Sequence, residues 1–196
     1  MKQLLILFAT FFISISSYAQ LISVDRLEND GRRQIMAESM DMLFSGAEYS
    51  ISLKVYTDDY STDWLFLVSS FYYIPDNAVV LLKLRNDEVM EFPINNLHVG
   101  SVTVPGYSSK VGSVITSTPS SEQDYYSSVY VITPEEMDTI QSVGVKKIRI
   151  SSTAYHDYRE NSIGAFRLGV YIKSARAAIE RRLSKPLKQK RIWDNF

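Results

Sequence analysis

The stretch from Tyr125 to Ser151, YYSSVYVITPEEMDTIQSVGVKKIRIS, constrains the fold more than any other part of the chain. It reads as strand, helix, strand, with a chemical mark at each boundary. Val129 and Val131 belong to a β-favouring run. Thr133 can cap a helix that has Pro134 at its first position and Glu135 and Glu136 in the first turn, where unpaired amides and the helix dipole favour acids. Met137, Ile140 and Val143 give that helix an apolar side. Gly144 supplies a left-handed residue to close it, and Val145, Ile148 and Ile150 start a new strand with Lys146, Lys147 and Arg149 among them.

The first nineteen residues have the pattern of a signal peptide. Met1 and Lys2 precede an apolar run from Leu4 to Ile15, and Ser17-Tyr18-Ala19 ends in a small residue, so cleavage is expected before Gln20. The run is short for a membrane span, although a retained N-terminal anchor helix is the alternative. The chain has no cysteine, which excludes disulfides, thiolate chemistry, iron–sulfur ligation and lipidation on a cysteine. An exported chain without disulfides fits a bacterial periplasmic or secreted protein. Residues 20–196 are long enough for one domain with a substantial core.

Charge is unevenly placed. From Lys173 onward there are eight Lys and Arg against two acids, whereas residues 20–172 hold twelve basic and twenty acidic residues. Arg176, Arg181, Lys185 and Lys188 could form a basic surface for peripheral contact with an anionic membrane or an acidic partner. Alternatively, they complement the dipole of their own helix and pack against the acidic body. Nucleic acid is not expected as a partner, because the acidic body would repel phosphates.

The remaining elements follow from periodicity. LISVDRL (21–27) can form a leading strand, and Arg32 to Leu43 looks weakly helical through Ile35, Met36, Met40 and Leu43. Tyr49, Ile51, Leu53 and Val55 alternate with Ser50, Ser52, Lys54 and Tyr56, the signature of a strand with one buried face. Runs at 64–73, 79–84 and 88–94 follow at short spacing, which predicts an antiparallel four-strand meander over 48–94 with Pro93 at an edge. Strands are expected within 99–104 and 111–116. A long helix over 163–184 carries Leu168, Ile172, Ala175, Ile179 and Leu183 as its apolar stripe, widened by Phe166 and Val170, before a basic tail at 185–196. The fold class expected is α+β: a mainly antiparallel sheet, or two packed sheets, with a short crossover helix and a long C-terminal helix against one side.

Catalytic and metal motifs are not evident. His98 and His156 lie in no metal-ligand spacing, so no metal and no cofactor is expected. Asp58, Asp59 and Asp63 share a loop that lacks the glycine and terminal glutamate of a calcium loop, which favours a solvated hairpin. Gly106-Tyr107-Ser108-Ser109-Lys110 lacks the second glycine of a nucleophile elbow. Paired acids for glycoside hydrolysis remain possible, but the spacing nominates none.

Thirteen tyrosines are the residual clue. Tyr56, Tyr60, Tyr107, Tyr155 and Tyr158 are candidates for an aromatic surface that stacks on sugar rings or packs a partner protein, although tyrosines also pack routinely at sheet margins. In Pro134-Glu135-Glu136, Gly144-Val145-Lys146-Lys147-Ile148-Arg149-Ile150 and the closing amphipathic helix around 166–183, the chain resembles small uncharacterised exported proteins of Bacteroides-type bacteria. That resemblance implies a bacterial envelope setting and carries no activity. The expected function is a non-catalytic binding or scaffolding module with an envelope protein or glycan as partner. The alternative is a hydrolase acting on an envelope or carbohydrate substrate.

Overall fold

The computed structural model describes residues 21–44, 47–111, 114–152, 158–161 and 163–187. The signal segment, Tyr155 and Lys188 therefore lie outside the described residues. The chain runs β1 (Ile22–Leu27), β2 (Arg33–Ala37), β3 (Met40–Phe44), β4 (Ala47–Thr57), β5 (Thr62–Ser70), β6 (Ala78–Leu84) and β7 (Val89–Pro93). It continues through β8 (Asn96–Val104), β9 (Tyr107–Val111), β10 (Val114–Thr118), β11 (Ser121–Val131), α1 (Pro134–Val143), β12 (Val145–Ser152), β13 (Tyr158–Asn161) and α2 (Ile163–Leu183). The fold is α+β with two larger antiparallel sheets, as the sequence leads one to expect.

The first sheet has seven strands in the order β1-β2-β4-β5-β11-β8, with β3 also paired to β4; the second has four in the order β13-β12-β6-β7. The β9–β10 ribbon completes the strands, continuing the β8–β11 pairing in the same register, from Val104↔Ser121 to Tyr107↔Thr118. The expected meander over 48–94 is therefore two hairpins in different sheets: β4–β5 belongs to the seven-stranded sheet and β6–β7 to the four-stranded one. One apolar cluster joins the sheets and both helices, from Ile51, Phe66 and Tyr130 through Leu82, Phe92 and Ile148 to Ile140 and Ile172. Phe66 lies at its middle, with its ring 6.4 Å from Phe92 and 6.3 Å from Tyr130.

Where a helix was expected over 32–43, the chain forms β2 and β3. Both pair antiparallel with β4, but Met36 faces Lys54 while Met40 faces Ile51, so residues 37–39 stand opposite 52–53. This is a bulge of one extra residue. It interrupts the ladder at Leu53, and α2 repairs the gap. The Tyr171 hydroxyl accepts from the Leu53 amide (3.1 Å) and donates to the Glu38 carbonyl (2.8 Å).

Helix α1 has the start its sequence encodes. Thr133 Oγ1 accepts from the Glu136 amide (3.2 Å), and the Glu136 carboxylate accepts from the Thr133 amide (2.7 Å), a complete capping box. Gly144 has φ 80° and ψ 154°, a positive φ as expected but with extended ψ, so the helix ends by passing directly into β12. Helix α2 buries Leu168, Ile172, Ala175 and Ile179 as expected, together with Tyr171, whereas Val170 points to solvent. Its C-terminus is held to the first sheet by Arg33, which donates to the carbonyls of Arg182 (3.2 Å) and Lys185 (2.8 Å) and to both oxygens of Asp25 (2.9 and 3.1 Å). Arg182 donates to Asp25 as well.

Candidate functional site

The two faces of the seven-stranded sheet have different fates. Alternation along β4 sends Tyr49, Ile51, Leu53 and Val55 into the core and Ser50, Ser52, Lys54 and Tyr56 to the other side. Register extends that second face across the neighbours. Tyr56 faces Asp63 and Lys54 faces Leu65 on β5; Leu65 faces Val131 on β11; Val129 and Ser127 face Asn96 and His98 on β8. Among the described residues, no helix or second sheet packs on this face.

Two recesses share it. The larger, about 780 Å³, is floored by Lys54, Tyr56, Leu65 and Val129 and rimmed by Asn95, Asn96 and His98 on one side and Asp30, Arg32 and Asp63 on the other. The smaller, about 540 Å³, is lined chiefly by Ser39, Ser50, Ser52, Ser69 and Ser127 around Leu67. Ser69 and Ser127 hydroxyls lie 3.0 Å apart across β5 and β11. The face thus presents hydroxyls, amides and short apolar patches, a surface suited to hydrogen-bonding an extended polar ligand.

Several charged groups around the larger recess are already matched. Arg32 pairs with Asp30 (2.8 Å) and Asp63 (3.5 Å), and its guanidinium carbon sits 4.9 Å from the Tyr56 ring centre. Lys54 Nζ is 4.5 Å from the same ring. The Arg32 amide and guanidinium hold the Asp30 carboxyl below the usual carboxylate range, and Asp30 in turn raises the Arg32 pKa. Asp30 is therefore an ionised acceptor at neutral pH and a poor proton donor. His98 is exposed, with Nε2 3.4 Å from Asn96 Nδ2.

Of the sequence-nominated tyrosines, Tyr56 lines the larger recess. Tyr60 is 97% exposed on the β4–β5 turn, outside both recesses. Tyr107 falls in β9 and Tyr158 in β13. The acidic loop between β4 and β5 is explained by its turn. Asp58 Oδ1 accepts from the amides of Tyr60 and Ser61, both at 2.7 Å, and those bonds lower the Asp58 pKa. Among the nominated cations, Arg176 is engaged by Asp138 (2.6 Å) and Glu180 (2.8 Å), joining α2 to α1. Arg181 and Lys185 are exposed near the end of α2.

Lys54, Asn96, His98 and the serines were not nominated from sequence. Ser50, Ser52 and Lys54 were legible as the polar side of β4, but the strands that complete the face come from distant segments. A second aromatic group also emerges. The Phe71 ring packs edge-on against Tyr125 (5.3 Å) and Tyr73 against Tyr126 (5.5 Å), with all three of Phe71, Tyr72 and Tyr73 exposed. Comparison of the chain with protein-family models, curated proteins and solved structures finds no match.

Proposed function

We propose that this chain is a non-catalytic binding module of the cell envelope and that it holds an extended glycan along the open face of the seven-stranded sheet. One observation carries the reading: a face with two recesses, rich in hydroxyl and amide groups, is left without a covering element among the described residues. A sheet face with no role would ordinarily carry long charged side chains directed into solvent. Here Ser52, Ser69 and Val129 are each less than a tenth exposed. The envelope setting rests on the signal-like N-terminus and the absence of cysteine.

A hydrolase reading draws less support from this face. Glycoside hydrolysis needs one carboxyl to donate a proton, yet of the four that line the recesses Asp30 and Asp63 pair with Arg32 and Glu28 with Arg26, and Glu38 stands at the other recess. The basic helix draws little support as a membrane contact, since Arg176 is spent on Asp138 and Glu180.

Isothermal titration of the chain from Gln20 with soluble peptidoglycan fragments and neutral and acidic oligosaccharides tests the proposal. Binding that weakens at least about tenfold in Lys54→Ala and Tyr56→Ala, a loss of about 1.4 kcal/mol, is the expected result. Titrations that stay flat at millimolar glycan would refute it, as would release of reducing ends, which would restore the hydrolase.

A further inference from the structure

The open edge of the seven-stranded sheet carries a second reading, independent of any ligand on its face. Five strands leave one side open in the two larger sheets: β1, β3 and β8 in one, β13 and β7 in the other. An edge strand exposes a row of unpaired amides and carbonyls, and natural sheets blunt such edges with charge, proline, bulges or brevity. Four of the five follow that rule. β1 carries Asp25 and Arg26, β3 is five residues long with Asp41, β7 carries Glu91 and Pro93, and β13 is four residues long with Arg159 and Glu160.

β8 breaks it. Its nine residues, NLHVGSVTV, include no Asp, Glu, Lys, Arg or Pro. Its pairing with β11 runs from Asn96↔Val129 to Val104↔Ser121 without a register shift, so no bulge turns the edge away. Val99, Val102 and Val104 are 59%, 42% and 38% exposed. Among the described residues nothing pairs with its outer side.

We infer that β8 is the interface of a twofold dimer, in which two copies of the chain pair their β8 strands antiparallel and continue the sheet from one copy into the other. The occupant that this edge suits is itself. Full antiparallel overlap of residues 96–104 with a second copy places Gly100 on the twofold axis. It sets Val99 opposite Ser101, His98 opposite Val102, Leu97 opposite Thr103 and Asn96 opposite Val104. No formal charge meets its like in that register, and each apolar or β-branched residue finds a neutral partner. Gly100 has no atom within 4 Å of where a Cβ would stand, so a side chain placed there meets no obstruction within its own chain. Pro105, which lacks an amide donor, follows the pairing segment directly at its C-terminal end. Such an interface is isologous and closes at two copies, which also hides the edge from open-ended assembly. Asn96 and His98 lie on β8, so the two open faces would become one surface.

Sedimentation equilibrium of the chain from Gln20, which retains every described element, should give twice the chain mass at micromolar concentration. Ser101→Lys places two like charges beside the axis and should weaken the dimer about tenfold or more while leaving the circular dichroism and melting temperature unchanged. Because the chain has no cysteine, single cysteines report the register. Gly100→Cys should cross-link rapidly on oxidation. Val104→Cys should not, since the two sulfurs would stand about 27 Å apart along an antiparallel pair. A monomer at 100 µM, a Ser101→Lys dimer as tight as the parent, or Val104→Cys linking as fast as Gly100→Cys would each overturn it.

Discussion

Removing one hydroxyl from each of two buried tyrosines should have opposite consequences, and the difference follows from partners rather than burial. Tyr130 and Tyr171 are 0% and 7% exposed, and burial pushes both hydroxyls up to about 12. The Tyr171 hydroxyl closes the ladder gap at the β2–β3 bulge through the Leu53 amide and the Glu38 carbonyl. Tyr171→Phe strands both. Leu53 is wholly buried, so its orphaned amide carries a desolvation cost of about 1–3 kcal/mol; Glu38 is exposed, so its carbonyl can turn to water and adds roughly 0.5 kcal/mol. The expected loss is about 2–3 kcal/mol, or roughly 5–10 °C in melting temperature for a chain of this size. Among the described residues the Tyr130 hydroxyl makes no hydrogen bond of normal geometry; Ser128, close enough to temper the rise in its pKa, donates instead to the Val68 carbonyl (3.0 Å). Tyr130→Phe should therefore change stability by about 0 to +1 kcal/mol in the stabilising direction. Urea unfolding of the three proteins at pH 7 measures both. A Tyr171→Phe variant within about 0.5 kcal/mol of the parent, or a Tyr130→Phe variant less stable than it, would refute the reasoning.

Two further outcomes follow from the same structure. Asp25 accepts from Arg33 and Arg182 with its side chain 10% exposed, so Asp25→Asn should cost about 2–4 kcal/mol, short of a fully buried pair because Arg182 reaches solvent. Burial alone would raise the Asp25 pKa, but the two guanidinium hydrogen bonds outweigh it and the pKa is lowered; its contribution is present above the unfolded value near pH 3.9 and is lost as pH falls through the folded one. Urea midpoints between pH 6 and pH 2 should therefore fall more steeply for the parent than for Asp25→Asn, and parallel curves would contradict the assignment. Gly144 occupies a conformation open almost only to glycine, and a Cβ there would stand 3.3 Å from Arg85 Nε. Gly144→Ala should cost about 1–3 kcal/mol, and a neutral result in thermal unfolding would show that the backbone relaxes.

The helix α1 was legible because its determinants are local: Thr133, Pro134, Glu136 and Gly144 act within one short segment. The strands at 33–44 were not, and the bulge explains why. One extra residue at 37–39 flips the parity of burial, so Ile35 and Ala37 are buried before it and Met40 and Met42 after it. Apolar residues then recur at uneven spacing that mimics one side of a helix. The split of β4–β5 and β6–β7 between sheets escaped for a different reason. A hairpin records its own pairing in its turn, but the next hairpin's choice of sheet depends on contacts such as Phe66 with Phe92, which no short window contains. The polar face shares that limit. Tyr56 and its alternation were visible along β4, yet Asn96 and His98 joined them only through the β5–β11–β8 order.

A ligand held on the open face of the seven-stranded sheet would mark that face in an amide chemical-shift map of the chain from Gln20, recorded as the tightest-binding oligosaccharide from the calorimetric panel is added. Shifts should concentrate on Lys54, Tyr56, Leu65, Asn96, His98 and Ser127, while core-facing neighbours on the four-stranded sheet, such as Val80 and Ile148, stay still. Shifts confined to the C-terminal end of α2 or to the four-stranded sheet would contradict it.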